Sequence, residues 1–480
     1  MDAFSLVIFG ITSNLAQIKL IPALYDLAEK NLLPKDIRIL GVARKPMGEA
    51  EFKQYIETVV RAENRHHQHD IKKDVLDHLL TLMHYQAGDV GDNSFYPALK
   101  TTLDQTTAEG NACYNHIFYL ATYPDLYHTI FEQLQASGLN NQEKGWVRLM
   151  IEKPIGNDLQ SAKALNALLL QYFSEDQIYR LDHYLGKETL QNILTFRFGN
   201  GIFEPLFNAE YVDHIQVTAL EDFGIGKRGG YYDSVGSLKD VGQNHLLQML
   251  AFATMSAPKE FSNQAITEER VKILRELVPH PEALVLGQYE GYTDEAHVKA
   301  NSSTDTYFAF KTELKNERFR GVPMYVRGGK KLAQTATEIS VVFKNPHNRL
   351  FGHLHAGNEP SVLIFRIQPN EAIVLKILTK KPGLDVELET AYMQFCYREL
   401  ATELPDPYER LIYDCLSGNQ TFFNDSAEVE AEWAFIDPLV RKSMKPALYK
   451  PGSYGPKQAN QLIEADGRAW LEPSMAFCKI

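Results

Sequence analysis

The chain has 480 residues, 44% hydrophobic and 23% charged, an ordinary globular balance whose length implies two domains or three. Its net charge of −12 argues against nucleic-acid binding, so a phosphorylated ligand would need cations gathered locally. No apolar run reaches a membrane span and Met1-Asp2-Ala3-Phe4 carries no basic leader, so neither membrane association nor secretion is expected.

Phe4 to Phe9 (FSLVIF) reads as a buried strand, followed by the loop Gly10-Ile11-Thr12-Ser13-Asn14-Leu15-Ala16 and a helical pattern through Leu20, Ile21, Ala23, Leu24 and Leu27. A glycine at a strand end permits a tight turn, and the following helix start offers amides to a pyrophosphate. One glycine is fewer than the three of the dinucleotide fingerprint, and Thr12 or Asn14 could equally be a plain N-cap. Ile37 to Ala43 is a second strand running into Arg44-Lys45. Two cations where an NAD site would place an acid suit a 2′-phosphate and favour NADP, although a solvated Arg-Lys pair is the bland alternative. His116 to Ala121 and Val147 to Ile151 are further strands, and Leu159 to Phe173 is a helix. This alternation predicts a parallel, doubly wound sheet over residues 1–178.

Next comes Tyr179-Arg180-Leu181-Asp182-His183-Tyr184-Leu185-Gly186-Lys187-Glu188. It gathers a carboxylate, an imidazole, a phenol and an ammonium around one glycine, which suits an anion held beside a titratable site. Beyond it the texture changes. Helical stretches over Glu188 to Phe198 and Val241 to Met255 precede strand-like runs at Thr306 to Phe310, Ile339 to Phe343, Val362 to Ile367 and Ala372 to Thr379. Residues 179–480 are therefore expected to form an α+β domain on a large, mostly antiparallel sheet. Asn345 to Pro360 reads as an exposed loop, and the segment from Tyr449 is irregular until Lys457. Asp240-Val241-Gly242-Gln243 fits a capping box with Asp240 as N-cap. The four cysteines (Cys113, Cys396, Cys415 and Cys478) are scattered, which favours a reduced, cytoplasmic setting over a disulfide framework. Arg65-His66-His67-Gln68-His69-Asp70 and His353-Leu354-His355 could suggest a metal, but no acidic or Cys partner recurs at ligand spacing. They are read as solvated, and no metal is expected.

Taken in order, several segments resemble the glucose-6-phosphate dehydrogenase family. They include Asn14-Leu15-Ala16, Glu152-Lys153-Pro154-Ile155-Gly156, Arg180 to Glu188, Gln243-Asn244-His245-Leu246-Leu247-Gln248, Tyr325-Val326-Arg327-Gly328-Gly329-Lys330 and Gln368-Pro369-Asn370-Glu371. The resemblance implies a Rossmann-like coenzyme domain, NADP, and oxidation of glucose 6-phosphate at C1 to the 1,5-lactone, the NADPH-forming first step of the oxidative pentose phosphate pathway. It implies His245 as the base that takes the C1 hydroxyl proton and Asp182 as the carboxylate that orients it. His183, Tyr184 and Lys187 match the sugar-phosphate donors, and Glu221, Asp240, Lys330 and Gln368 match positions that touch the sugar. Lys153 matches a lysine between coenzyme and substrate, followed by a proline that can be cis. Gly10, Thr12, Ser13, Asn14, Leu15, Arg44, Asp89, Val90, Ala121 and Tyr123 match the coenzyme side. A homodimer or homotetramer joined through the C-terminal sheet is implied, with no nucleic acid or membrane partner.

Two positions depart from the family pattern. Ser13 adds a side chain where backbone approaches phosphate, and Thr335 stands where relatives often carry a cation. They motivate an alternative reading, a catalytically weakened relative with a ligand-binding or regulatory role.

Overall fold

The structure, a computed structural model, describes residues 3–67, 70–104, 114–345, 350–351, 359–400, 404–440 and 444–478, without the side chains of residues 63–67. The chain forms two compact units. The first comprises Met1–Gly156, Gln160–Gly186 and Pro405–Ser426, and the second Asn157–Leu159, Lys187–Leu404 and Ala427–Ile480.

The first unit is built on β1 (Phe4–Phe9), β2 (Ile37–Ala43), β3 (Met83–Ala87), β4 (Asn115–Leu120), β5 (Val147–Ile151) and β6 (Ile178–Arg180). They form one parallel sheet in the order β3-β2-β1-β4-β5-β6, the Rossmann arrangement. Every residue of β1 is buried, as an uninterrupted apolar strand covered on both faces must be. A late segment returns to this unit. The helix Pro407–Ser417 brings Glu409 to Lys30 at 2.5 Å and Asp406 to Lys19 at 3.1 Å.

Asp26 lies among these charges. Burial, then Glu409, pushes its carboxyl up to about 7 from an ordinary 3.8. A raised carboxyl binds its proton more tightly when folded, so stability is lost as pH rises from about 4 to about 7. Asp26→Asn is expected to stabilise the protein by on the order of 2 kcal/mol at pH 8 and hardly at all at pH 4. Thermal melts at both pH values check this, and equal shifts would refute it.

The second unit contains β7 (Val212–Leu220), β8 (Leu284–Tyr289), β9 (Tyr307–Thr312), β10 (Met324–Gly329), β11 (Ala336–Phe343), β12 (Val362–Gln368), β13 (Ala372–Lys380), β14 (Leu388–Cys396) and β15 (Ala447–Tyr449). Their order is β14-β13-β12-β11-β7-β10-β9-β8-β15. The β7–β10 and β8–β15 pairs are parallel and the others antiparallel. The helix Glu188–Phe198 packs on β12 and the helix Leu247–Thr254 on β11. As expected, Leu246, Leu247, Met249 and Leu250 are wholly buried.

After the helix Lys457–Glu464, the C-terminal segment runs across the strands as a strap. Asp466 meets Lys311 of β9, Arg468 meets Asp213 of β7, and the Leu471 carbonyl accepts from Arg327 of β10. The Ser474 carbonyl accepts from Arg366 of β12, and Cys478 is disulfide-bonded to Cys396 at the end of β14. This corrects the expectation of unpaired cysteines. Distance along the chain, 82 residues here, says nothing about distance in space once a strap folds back. Cys415 stays a buried thiol. Cys113, His353 and His355 lie outside the described residues, as do the side chains of Arg65 to His69 and most of the loop expected between Asn345 and Pro360.

Candidate active site

In the first unit, every expected ligand residue follows the carboxyl end of a parallel strand, where open α/β sheets bind ligands. Gly10 follows β1 with φ +88°. A Cβ there would meet the Ala121 carbonyl oxygen at 2.4 Å, so only glycine lets the two strand-end loops approach so closely. Beyond it, Ser13 Oγ accepts from the Ala16 amide at 3.2 Å. Ser13 therefore caps the helix start, a role the sequence left open to Thr12 or Asn14. Asn14 is exposed, and Thr12 and Leu15 are half-buried. Arg44 follows β2 and is exposed, while its neighbour Lys45 pairs with Glu51 at 3.3 Å. After β3, Asp89 Oδ1 accepts from the Gly91 amide and the Val90 carbonyl accepts from Tyr96 Oη. Ala121 and Tyr123 follow β4, and the Tyr123 ring is 81% exposed.

Lys153 follows β5, and its bond to Pro154 is cis. Beside it, Glu152 accepts from Tyr119 Oη at 2.5 Å, and burial raises its carboxyl. After β6 the chain turns tightly. The Leu185 amide donates to the Asp182 carbonyl, and the Tyr184 amide to Asp182 Oδ1 at 2.9 Å. Asp182 is completely buried. The His183 ring stacks on Tyr408, with centroids 6.3 Å apart, and meets Tyr184 edge-on at 5.0 Å. Gly186 has no room for a side chain, since a Cβ would meet the Pro407 carbonyl oxygen at 2.6 Å. The segment that returns at Pro405–Ser426 thus shapes this turn.

In the second unit, strand register aligns the expected sugar-binding residues. Leu220 of β7 pairs with Gly329 of β10 and with Ala336 of β11, and Thr337 of β11 pairs with Gln368 of β12. Glu221, Lys330 and Gln368 therefore emerge along one edge of four adjacent strands. The Lys330 ammonium is buried, bonded to the Glu221 carboxylate, and lies 5.4 Å from the rings of Phe223 and Tyr232. A buried cation is stabilised by such a carboxylate and by ring faces. Thr335 Oγ1 donates to Asp222 Oδ1 at 2.6 Å and accepts from the Asp222 amide. The missing cation is thus replaced by a clip that holds the residue beside Glu221. Lys187 is half-buried at the start of the helix Glu188–Phe198.

Asp240 and His245 lie on a π-helix, Leu238–Leu246, that packs on β7, β9 and β10 and continues as the α-helix Leu247–Thr254. The capping-box reading fails. The helix starts two residues before Asp240, and a half-buried carboxylate from another segment serves it. Asp305 Oδ2 accepts from the Leu238 amide at 2.8 Å, and Gly236 (φ +78°) leaves space for it, because a Cβ there would meet Asp305 Oδ1 at 2.3 Å. His245 is 3% exposed, and its amide donates to Asn244 Oδ1 at 2.6 Å. The Gln243 side chain, freed from the supposed box, donates to Glu432. Asp305 and Glu432 escaped the sequence reading. The one signal was a pair of glutamates four apart, Glu428 and Glu432, on an otherwise apolar helical stripe.

Two family models match, the glucose-6-phosphate dehydrogenase NAD binding domain over residues 7–192 and the C-terminal domain over residues 194–471. The chain belongs to the glucose-6-phosphate dehydrogenase family. Glucose-6-phosphate 1-dehydrogenase of Aggregatibacter actinomycetemcomitans is 39% identical, covering 98% of this chain and 97% of its own. That of Treponema pallidum is 40% identical over 98% and 95%. Among solved structures, glucose-6-phosphate 1-dehydrogenase from Mycobacterium avium superposes with a TM-score of 0.88 at 32% identity, covering 98% and 99%. Glucose-6-phosphate dehydrogenase in complex with glucose 6-phosphate gives 0.87 at 31%, with the same coverage. The chain is an NADP-dependent oxidoreductase of this family, and its reaction is oxidation of glucose 6-phosphate at C1. Among the described residues no helix is long and apolar enough to cross a membrane.

Proposed function

We propose that the chain turns glucose 6-phosphate into 6-phospho-D-glucono-1,5-lactone with His245 as general base and Asp182 as the carboxylate that orients it. One observation carries this reading. Glu221, Lys330 and Gln368 share one sheet edge, and the helix of Asp240 and His245 packs on the same strands, β7 and β10. NADP, when bound, supplies the hydride acceptor. The chain's own residues do the remainder. His245 takes the proton of the C1 hydroxyl as the C1 hydride leaves, so a carbonyl forms without an alkoxide in water. His183, Tyr184 and Lys187 hold the phosphate, while Glu221, Asp240, Lys330 and Gln368 hold the sugar hydroxyls and fix C1. Lys153 stands at the end of β5 between the two ligand groups.

The residues of the first unit suit NADP. The Gly10 turn brings backbone to a helix start, and an exposed Arg44 stands where a ribose-binding acid would repel the 2′-phosphate. Initial rates of NADPH formation from glucose 6-phosphate test the activity. In the same assay Arg44→Ala is expected to raise the KM for NADP roughly tenfold or more, about 1.4 kcal/mol, with little change for NAD. Equal effects on both coenzymes would remove Arg44 from the 2′-phosphate.

We also propose a homodimer or homotetramer formed through the C-terminal sheet, supported by exposed Tyr392, Met393 and Phe395 on the outermost strand β14. A light-scattering mass near the chain's 54.5 kDa would exclude it. A cytoplasmic location is proposed because both ligands are phosphorylated metabolites kept inside cells.

A further inference from the structure

His245 sits between two buried glutamines that share one carboxylate. Gln243 Nε2 donates to Glu432 Oε2 at 3.0 Å, and Gln248 Nε2 donates to Glu432 Oε1 at 2.7 Å. All three side chains are buried, Gln248 and Glu432 almost completely. Glu432 comes from the helix Ser426–Leu439. One turn earlier on that helix, Glu428 accepts from Gln248 at 3.3 Å and pairs with buried Arg270 at 2.9 Å. A carboxylate taken from water is costly unless its oxygens are satisfied. Here the two oxygens of Glu432 are divided between donors five residues apart on one helix.

That spacing is informative. In an α-helix, residues five apart point about 140° from each other, so one carboxylate could not easily serve both. In a π-helix hydrogen bonds close from i to i+5, which brings residues five apart closer to one side of the helix than in an α-helix. The stretch before Leu247 is π, and the bracket from Gln243 to Gln248 spans its junction with the α-helix. We propose that Glu432 is a positioning residue. Its carboxylate locks the wide-turn register of this helix and thereby the direction in which the His245 ring is presented. A slip to α register would rotate His245 relative to strands β7 and β10, while the buried glutamines would lose their shared acceptor. The inference rests on the reading of His245 as the base.

Three variants test it. Glu432→Gln keeps shape but offers one amide oxygen acceptor and one amide NH2 donor, so one glutamine faces a donor instead of an acceptor. Its kcat is expected to fall about 30-fold, in keeping with the sensitivity of catalysis to sub-ångström placement, while KM for both ligands stays within about twofold. The double variant Gln243→Glu/Glu432→Gln exchanges donor and acceptor, keeps the net charge and restores both hydrogen bonds. It is expected to recover kcat to within about threefold of the parent. If Glu432→Gln does not fold, Gln243→Met, which leaves Glu432 held by Gln248, should show the same kcat loss at unchanged KM. A parental kcat in whichever of these single variants folds, or a double variant no better than Glu432→Gln, overturns the proposal. A failure of the underlying base assignment reads differently, because His245→Asn itself would then keep the parental rate.

Discussion

His245→Asn should lower kcat by about 10³-fold while leaving the KM for glucose 6-phosphate within a factor of two or three. Asparagine retains a polar, hydrogen-bonding side chain of similar reach, and the proposed binding donors at His183, Tyr184, Lys187 and Lys330 are untouched. What it lacks is a group that takes up a proton near neutral pH. The oxidation couples hydride departure to loss of the C1 hydroxyl proton, so removing the acceptor raises the barrier by about 4 kcal/mol without altering ground-state binding. The acid limb of the kcat/KM profile, which reports the free enzyme's base, should vanish with it. Stopped-flow NADPH absorbance across pH decides the matter. A profile that keeps its acid limb in the variant would assign the base elsewhere.

The second large effect concerns stability. Arg366 on β12 and Glu338 on β11 form a buried pair at 2.7 Å, with side chains 2% and 3% exposed. Burial raises the Glu338 carboxyl even with the guanidinium beside it. Arg366→Met should cost about 3–5 kcal/mol at pH 8, because it strands a carboxylate in the sheet and removes the donor to the Ser474 carbonyl. The sign with pH follows. A lone buried Glu338 has a folded pKa raised further above its unfolded value, so the deficit should shrink as pH falls toward 5 and the group takes a proton. Glu338→Leu/Arg366→Met removes both charges and should recover most of the loss. Urea midpoints at the two pH values are the readout. A single variant as stable as the parent at pH 8 would mean that the pair contributes nothing.

The parallel sheet was legible because β1, β2 and β5 are short, nearly unbroken apolar runs, which covered parallel strands require. The helix Glu188–Phe198 was equally plain from its periodicity. β7 and β14 escaped. β7 buries His214 and Gln216, polar groups tolerable there because they bond to each other and Gln216 also bonds to Ala469 and Leu471 of a segment some 250 residues later. β14 is an outermost strand whose Tyr392, Met393 and Phe395 are all exposed, so its residues do not alternate by burial. At the site, motif residues at strand ends could be read directly, whereas their supports could not. Asp305 and Glu432 act through backbone amides and glutamines that are distant in sequence, and a single acid in a helical pattern reads as a solvent-facing charge. The π register of the His245 helix left no trace in the hydrophobic pattern, so the sequence suggested a helix start at Val241, capped by Asp240, instead of Leu238.

The strap from Asp466 to Cys478 has an implication for the order of assembly. It has no ladder of its own and touches residues contributed by β9, β10, β7, β12 and β14. Its partners exist together only once those strands have paired, so its docking belongs to the last stages of folding. By the same logic it is the natural place for the sheet to begin to fray. Amide exchange in residues 466–478 would then outpace exchange in the strands beneath, except where the bond between Cys396 and Cys478 tethers the far end.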